Sequence, residues 1–227
     1  MSRPPGPRTT PLERFTARLT LAGAALVVVI VVFGVVIALV RTKWAPLNRL
    51  DVRISDDLSH YFSRHPGWAG FWRGVTNAGQ PLVFEVLSTV AAALMWRAHQ
   101  RRLALFTVVT VWGAGLIGSL TKLLVGRARP PVAMRLVHAN GASFPSGHAL
   151  TSSVALALLV VLAWPRVSRP WAVALAVGAA LVAAAVGFSR MALDVHYLSD
   201  IVGAWLLGAT WLLAMIGAFR IARRPES

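Results

Sequence analysis

Three short segments of this 227-residue chain carry residue types that can act together on an anion. Residues 122–130, KLLVGRARP, hold Lys122, Arg127 and Arg129; residues 143–150, SFPSGHAL, hold Ser146, Gly147 and His148; residues 189–200, SRMALDVHYLSD, hold Arg190, His196 and Asp200. His196 and Asp200 are four apart, so on a helix they share a face. The carboxylate can then accept from one imidazole nitrogen while the other stays free and nucleophilic. A helix starting at Ser146 would aim the unpaired N–H groups of Ser146, Gly147 and His148, and the positive end of its dipole, at the preceding loop. Gly147 lets an oxyanion approach the backbone closely. Taken singly, each segment has a plainer reading: Ser146 or Asp200 as a helix cap, and Lys122 with its arginines as cations reaching from a helix end to the membrane surface. Together they supply fixed cations, backbone donors, two histidines and a carboxylate, in a chain with no cysteine. That set suits phosphoryl transfer through a phosphohistidine. Cations and amides hold the equatorial oxygens, one histidine attacks in line, and the other protonates the leaving oxygen. No metal or other cofactor is required, because arginine and lysine already provide the charge.

The elements that must position these segments are membrane spans. Hydrophobic residues make up 56% of the chain. Charge-free runs over 19–40, 103–121, 149–164, 171–189 and 201–219 are each long enough, with their flanks, to cross a bilayer. A sixth run, 80–96, carries Glu85, which is either a buried functional carboxylate or the sign that the span begins after it. The expected fold is all-α: a six-span polytopic bundle in one domain over residues 13–222, with tails at 1–12 and 223–227. The first run is longer than a signal-peptide core and lacks a small-residue cleavage site, so it reads as a retained anchor. Between the first two spans, Ile54, Leu58, Tyr61, Phe62, Trp68, Phe71 and Trp72 recur near helical spacing, with Pro66–Gly67 as a break. That pattern predicts an amphipathic interfacial helix or helix pair.

The formal charge of +15 raises nucleic acid as a partner, but the basic residues lie between the apolar runs and form no single stripe. Arginines before the first span, over 97–102, over 166–169 and after 219 all fall on one side of a six-span layout. The positive-inside rule makes that side, and both termini, cytoplasmic. Lys122, Arg127, Arg129 and Arg135 then gather on the opposite face, where the rule disfavours them, which points to an anion to bind.

The three segments resemble the tripartite signature of the type 2 phosphatidic acid phosphatase superfamily, integral-membrane branch, at full spacing and in family order, and the similarity covers roughly residues 50–219. The resemblance implies that Lys122, Arg129 and Arg190 bind the phosphate, with Ser146 and the Gly147 amide completing the cradle. It further implies that His196 is the nucleophile, Asp200 its orienting partner and His148 the acid for the leaving group. The implied substrates are lipid phosphates and diphosphates, including phosphatidate, phosphatidylglycerophosphate and polyprenyl diphosphate. They are processed without a divalent metal at the outer surface of a bacterial-type plasma membrane. Arg127 and Arg135 either add charge for a diphosphate or hold the loop; Asp194 steers Arg190 or is solvated; His138 and Asn140 are candidates for the entrance. Transfer of the phosphate to an acceptor, and anion or lipid transport, are the rival functions; a vanadate haloperoxidase shares the anion site, but those relatives are soluble.

Overall fold

The computed structural model describes residues 11–131 and 136–221, so Arg135 and most of both expected tails lie outside the described residues. The described residues fold into eight α-helices: α1 (Pro11–Arg41), α2 (Ala45–Arg64), α3 (Pro66–Ala78), α4 (Pro81–Arg97), α5 (Arg101–Val125), α6 (Gly147–Ala163), α7 (Arg169–Ala192) and α8 (Leu198–Ile221). Helices α2, α3, α4 and α7 each begin with proline in the first turn, where its fixed φ suits the helix and its missing N–H costs nothing. Among the described residues, six stretches are long and apolar enough to cross a membrane; five match the expected charge-free runs, and the other is α3 with α4, Pro66–Arg97. At about 1.5 Å per residue, α4 alone is somewhat shorter than a bilayer core. Glu85 lies inside α4, not ahead of it.

The bundle turns large aliphatic side chains outward, Leu116, Leu123 and Leu181 among them, because its solvent is apolar. The interior uses smaller residues where helices meet. Ala114, Ala149 and Ala204 pack with Leu150, Val154, Ile201 and Leu207 at the centre of α5, α6 and α8. Gly203 shows why: a Cβ there would stand 2.4 Å from the Phe144 ring, so only glycine lets the loop before α6 seat against α8.

The expected helix pair between the first two spans is present, and its break is at His65–Pro66. Its orientation is the reverse of a soluble amphipathic helix. The buried face of α2 carries Asp51, Ser55, Ser59 and Phe62, whereas Leu50, Val52 and Tyr61 are exposed. A polar stripe is thereby turned into the bundle, over the loops that join α5 to α6 and α7 to α8.

Candidate functional site

Three loops at one end of the bundle are stitched together by backbone hydrogen bonds. Helix α5 stops at Gly126, whose φ of 61° is left-handed and whose N–H caps the carbonyl of Lys122 at 2.9 Å. The chain then turns so that Arg127 and Arg129 point back over the bundle. Ser143 donates its N–H to the Arg127 carbonyl (2.8 Å) and its hydroxyl to that of Ala128 (3.1 Å). Ser146 donates its N–H to the Asp200 carbonyl (3.2 Å), which locks the start of α6 to the start of α8. These links bring all eight residues expected from the sequence into one region, although they come from three segments up to 78 positions apart.

His196 is 3% exposed and held from both sides. Its Nδ1 lies 3.3 Å from Oδ2 of Asp200 and its Nε2 lies 3.0 Å from Nη1 of Arg129. A carboxylate only accepts and a guanidinium only donates, so these partners fix the tautomer: Nδ1 carries the hydrogen and Nε2 presents a lone pair. Burial pushes the imidazole pKa down to about 4, with Arg129 and Arg190 adding to the fall and Asp200 opposing it. The ring is therefore neutral at physiological pH. Asp200 is itself fully buried, and its Oδ2 also accepts the Tyr197 N–H at 3.0 Å.

Arg129 is held in place by carbonyls. It donates to those of Val195 (2.8 Å), Gly141 (3.1 Å), Asn140 (3.2 Å) and Ala142 (3.3 Å). Asn140 thus supports Arg129 through its backbone. On the other side of the site, a Cβ on Gly147 would sit 3.9 Å from Nζ of Lys122, so the ammonium stands beside the first turn of α6. His148 follows directly and is close enough to His196, Arg190, Lys122 and Arg129 to interact electrostatically with all four. Arg190 is buried; its Nη1 donates to Oγ1 of Thr76 on α3 at 2.6 Å, and its Nε has no partner. The Ser146 hydroxyl is also buried without a partner. Two unpartnered buried donors beside an ammonium and a helix N-terminus leave a site short of one acceptor-rich group. A tetrahedral oxyanion would supply it.

Several residues that the sequence left open are now placed. Arg127 reaches the cluster only at Asp200. Its Nη1 donates to Oδ1 of Asp200 (2.7 Å) and to Oγ of Ser199 (2.6 Å), its Nη2 donates to Oδ2 of Asp51 (2.7 Å), and its plane lies over the Tyr197 ring at 4.3 Å. Burial works against its charge, but Asp200 and Asp51 outweigh it and hold the guanidinium pKa above its usual value. Asp194, at φ 53°, accepts from the Ser55 hydroxyl and shapes the turn between α7 and α8. Glu85 lines a cavity of about 410 Å³ between α4, α5 and α6 whose upper end is Lys122 and Gly147. Asp51 was not singled out in the sequence. Its only signal was an aspartate on an expected amphipathic helix, which reads as charge balance for the neighbouring arginines.

A family model described as PAP2 superfamily matches residues 101–224, more than half of the chain. The chain belongs to the PAP2 superfamily. The resemblance carried by the three segments is borne out, and so is the six-span all-α fold. Among curated proteins, this PAP2 chain is 28% identical over 148 residues to phosphatidylglycerophosphatase B of Bacillus subtilis, an alignment covering 64% of this chain and 72% of that protein. It is also 28% identical over 128 residues to an undecaprenyl-diphosphatase of Sulfolobus acidocaldarius, covering 54% and 58%. A solved transmembrane PAP2-type phosphatidylglycerolphosphate phosphatase from Bacillus subtilis superposes with a TM-score of 0.76, covering 89% of this chain and 98% of that one at 22% identity. That likeness establishes the shared fold.

Proposed function

We propose that this PAP2 protein hydrolyses a lipid phosphate or diphosphate, without a metal, through a phosphohistidine formed on Nε2 of His196. The chain is an integral membrane protein and a phosphoric ester or diphosphate hydrolase, in line with its phosphatase relatives. The observation that carries the mechanism is the alignment of Asp200, His196 and Arg129. One imidazole nitrogen is tied to a buried carboxylate, and the other aims its lone pair at a guanidinium 3.0 Å away.

The phosphoryl group enters between that nitrogen and the start of α6. Arg129, Arg190, Lys122, the Ser146 hydroxyl and the Gly147 amide hold its oxygens. Arg129 turns its Nη1 donation from Nε2 to a phosphate oxygen, which frees the lone pair; Nε2 then attacks phosphorus, the bond to the leaving oxygen breaks, and His148 gives that oxygen its proton. His148 then takes a proton from water as the water attacks phosphorus, the P–N bond breaks, and inorganic phosphate leaves. Lipid phosphates are the substrate class because the site adjoins a cavity running down between spans, and because the relatives are named for phosphatidylglycerophosphate and undecaprenyl diphosphate. The arginine distribution supports a site on the extracytoplasmic side with both termini cytoplasmic.

The test is release of inorganic phosphate in detergent and EDTA from phosphatidate, phosphatidylglycerophosphate and polyprenyl mono- and diphosphate, with His196→Ala alongside. Turnover of at least one lipid by wild type and none by the variant is expected. Near-normal turnover by His196→Ala would sink the phosphohistidine. Phosphate appearing on an added alcohol instead of free in solution would recast the protein as a transferase.

A further inference from the structure

Asp51 is fully buried on α2, an element outside all three sequence segments, yet it lies one residue's reach from the nucleophile's partner. Its Oδ1 accepts the Ser199 N–H at 3.0 Å; its Oδ2 accepts the Ser199 hydroxyl at 2.5 Å and Nη2 of Arg127 at 2.7 Å. The other arm of the same guanidinium holds Oδ1 of Asp200 at 2.7 Å. One planar fork therefore spans two carboxylates, and the Arg127 side chain is only 12% exposed. With Oδ1 held from this side, Asp200 cannot rotate, and its Oδ2 is left facing His196. Both terminal nitrogens of Arg127 are committed to this network, which leaves it unsuited to bind a phosphate oxygen. Without Arg127, Asp51 would be an uncompensated buried charge, and without Asp51 the guanidinium would lose one of its two carboxylates and the contact that orients its fork, so the pair acts as a unit.

We propose that Asp51 and Arg127 are positioning residues of the reaction: through Ser199 and Asp200 they fix the imidazole of His196 so that Nε2 is the attacking atom, making α2 a functional part of the site. The proposal rests on the phosphohistidine reading above. It adds to it that α2 sets the nucleophile's geometry, whereas α3 supports the phosphate-binding Arg190 through Thr76.

The experiment measures kcat, KM and competitive inhibition by inorganic phosphate for wild type, Asp51→Asn, Arg127→Gln, the double variant and Arg127→Ala with and without added guanidine, each in the full chain. The substrate is whichever lipid phosphate the wild type turns over, and melting temperature is read in parallel. Both single variants should lose about 10- to 100-fold in kcat with KM and the phosphate inhibition constant within about twofold. The double variant should be no worse than the poorer single one, because the two residues form one unit. Guanidine should restore part of the activity of Arg127→Ala, and this arm decides the matter if Asp51→Asn does not fold. The proposal is overturned if Arg127→Gln weakens phosphate inhibition while kcat is kept, which would make Arg127 a phosphate ligand, or if Asp51→Asn keeps wild-type kcat. It is also overturned if guanidine restores nothing to a folded Arg127→Ala. Failure of the underlying mechanism looks different: His196→Ala would then stay active whatever Asp51 and Arg127 do.

Discussion

Replacing Arg129 by lysine keeps the charge and removes the fork, and the geometry sets the size of the effect. Arg129 makes at least five hydrogen bonds from three nitrogens, to the carbonyls of Gly141, Asn140, Ala142 and Val195 and to Nε2 of His196. An ammonium offers three donors from a single point. The contacts to Gly141 and Asn140 are exposed, so water can replace them at little cost. Those to Val195, His196 and Ala142 are partly buried; the Ala142 contact is long at 3.3 Å, and the two strong ones both come from Nη1, where a shorter lysine does not reach. Losing two charged, partly buried hydrogen bonds at about 1 to 2 kcal/mol each gives roughly 2 to 4 kcal/mol. That corresponds to a fall of about 30- to 1000-fold in kcat/KM. The assay is initial-rate release of inorganic phosphate from the preferred lipid, with melting temperature as a check that the 140–142 loop still folds. Arg129→Lys within about threefold of wild type would refute the argument, since charge alone would then suffice.

The low pKa of His196 predicts an acid limb near pH 4 instead of 6.5, because the attacking imidazole stays neutral until that point. Profiles of kcat/KM between pH 4 and 8, divided by the substrate's own second ionisation near pH 6, test this; a residual limb at 6.5 would contradict it. The same shift acts on stability. The unfolded chain takes up a proton at His196 from about pH 6.5 downward while the folded chain refuses it until about 4, so this group destabilises the fold progressively across that window as pH falls. Gly147→Ala should fold normally, since its Cβ would meet Lys122 Nζ at 3.9 Å and Pro81 Cγ at 4.0 Å, ordinary contact distances. It should nonetheless raise KM by about tenfold by standing between the ammonium and the α6 amides, and an unchanged KM would move the phosphate elsewhere.

The spans were legible because hydrocarbon tolerates so few charges: five of six could be bounded simply by where arginine, lysine and carboxylates stop. Pro66 marked the break between α2 and α3 because proline cannot continue a helix without losing a hydrogen bond. The eight site residues were legible because each segment holds several unusual polar groups at fixed spacing. The inward face of α2 was not. In a soluble protein the apolar side of such a helix turns to the core, but here lipid can cover Leu50 and Val52 while Asp51 and Ser55 turn to a polar site. Asp51 therefore reads as a surface charge until three-dimensional contact shows its partners. The role of Arg127 was hidden for a related reason: a guanidinium two residues from Arg129 has the same chemistry, and only its direction separates support from substrate contact.

The cavity beside Glu85 has a consequence for how such an enzyme must be measured. Its walls descend from Lys122 and Gly147 past Ser119 to Trp112, alongside Leu116, which is 62% exposed on the outer surface of the bundle. A substrate using this crease keeps its tail in hydrocarbon throughout and arrives by diffusion in two dimensions. Its relevant concentration is then a mole fraction in the bilayer, not a molarity in water. Diluting the vesicles at fixed composition should leave the turnover per enzyme unchanged, whereas diluting the substrate with inert lipid in the same vesicles should lower it.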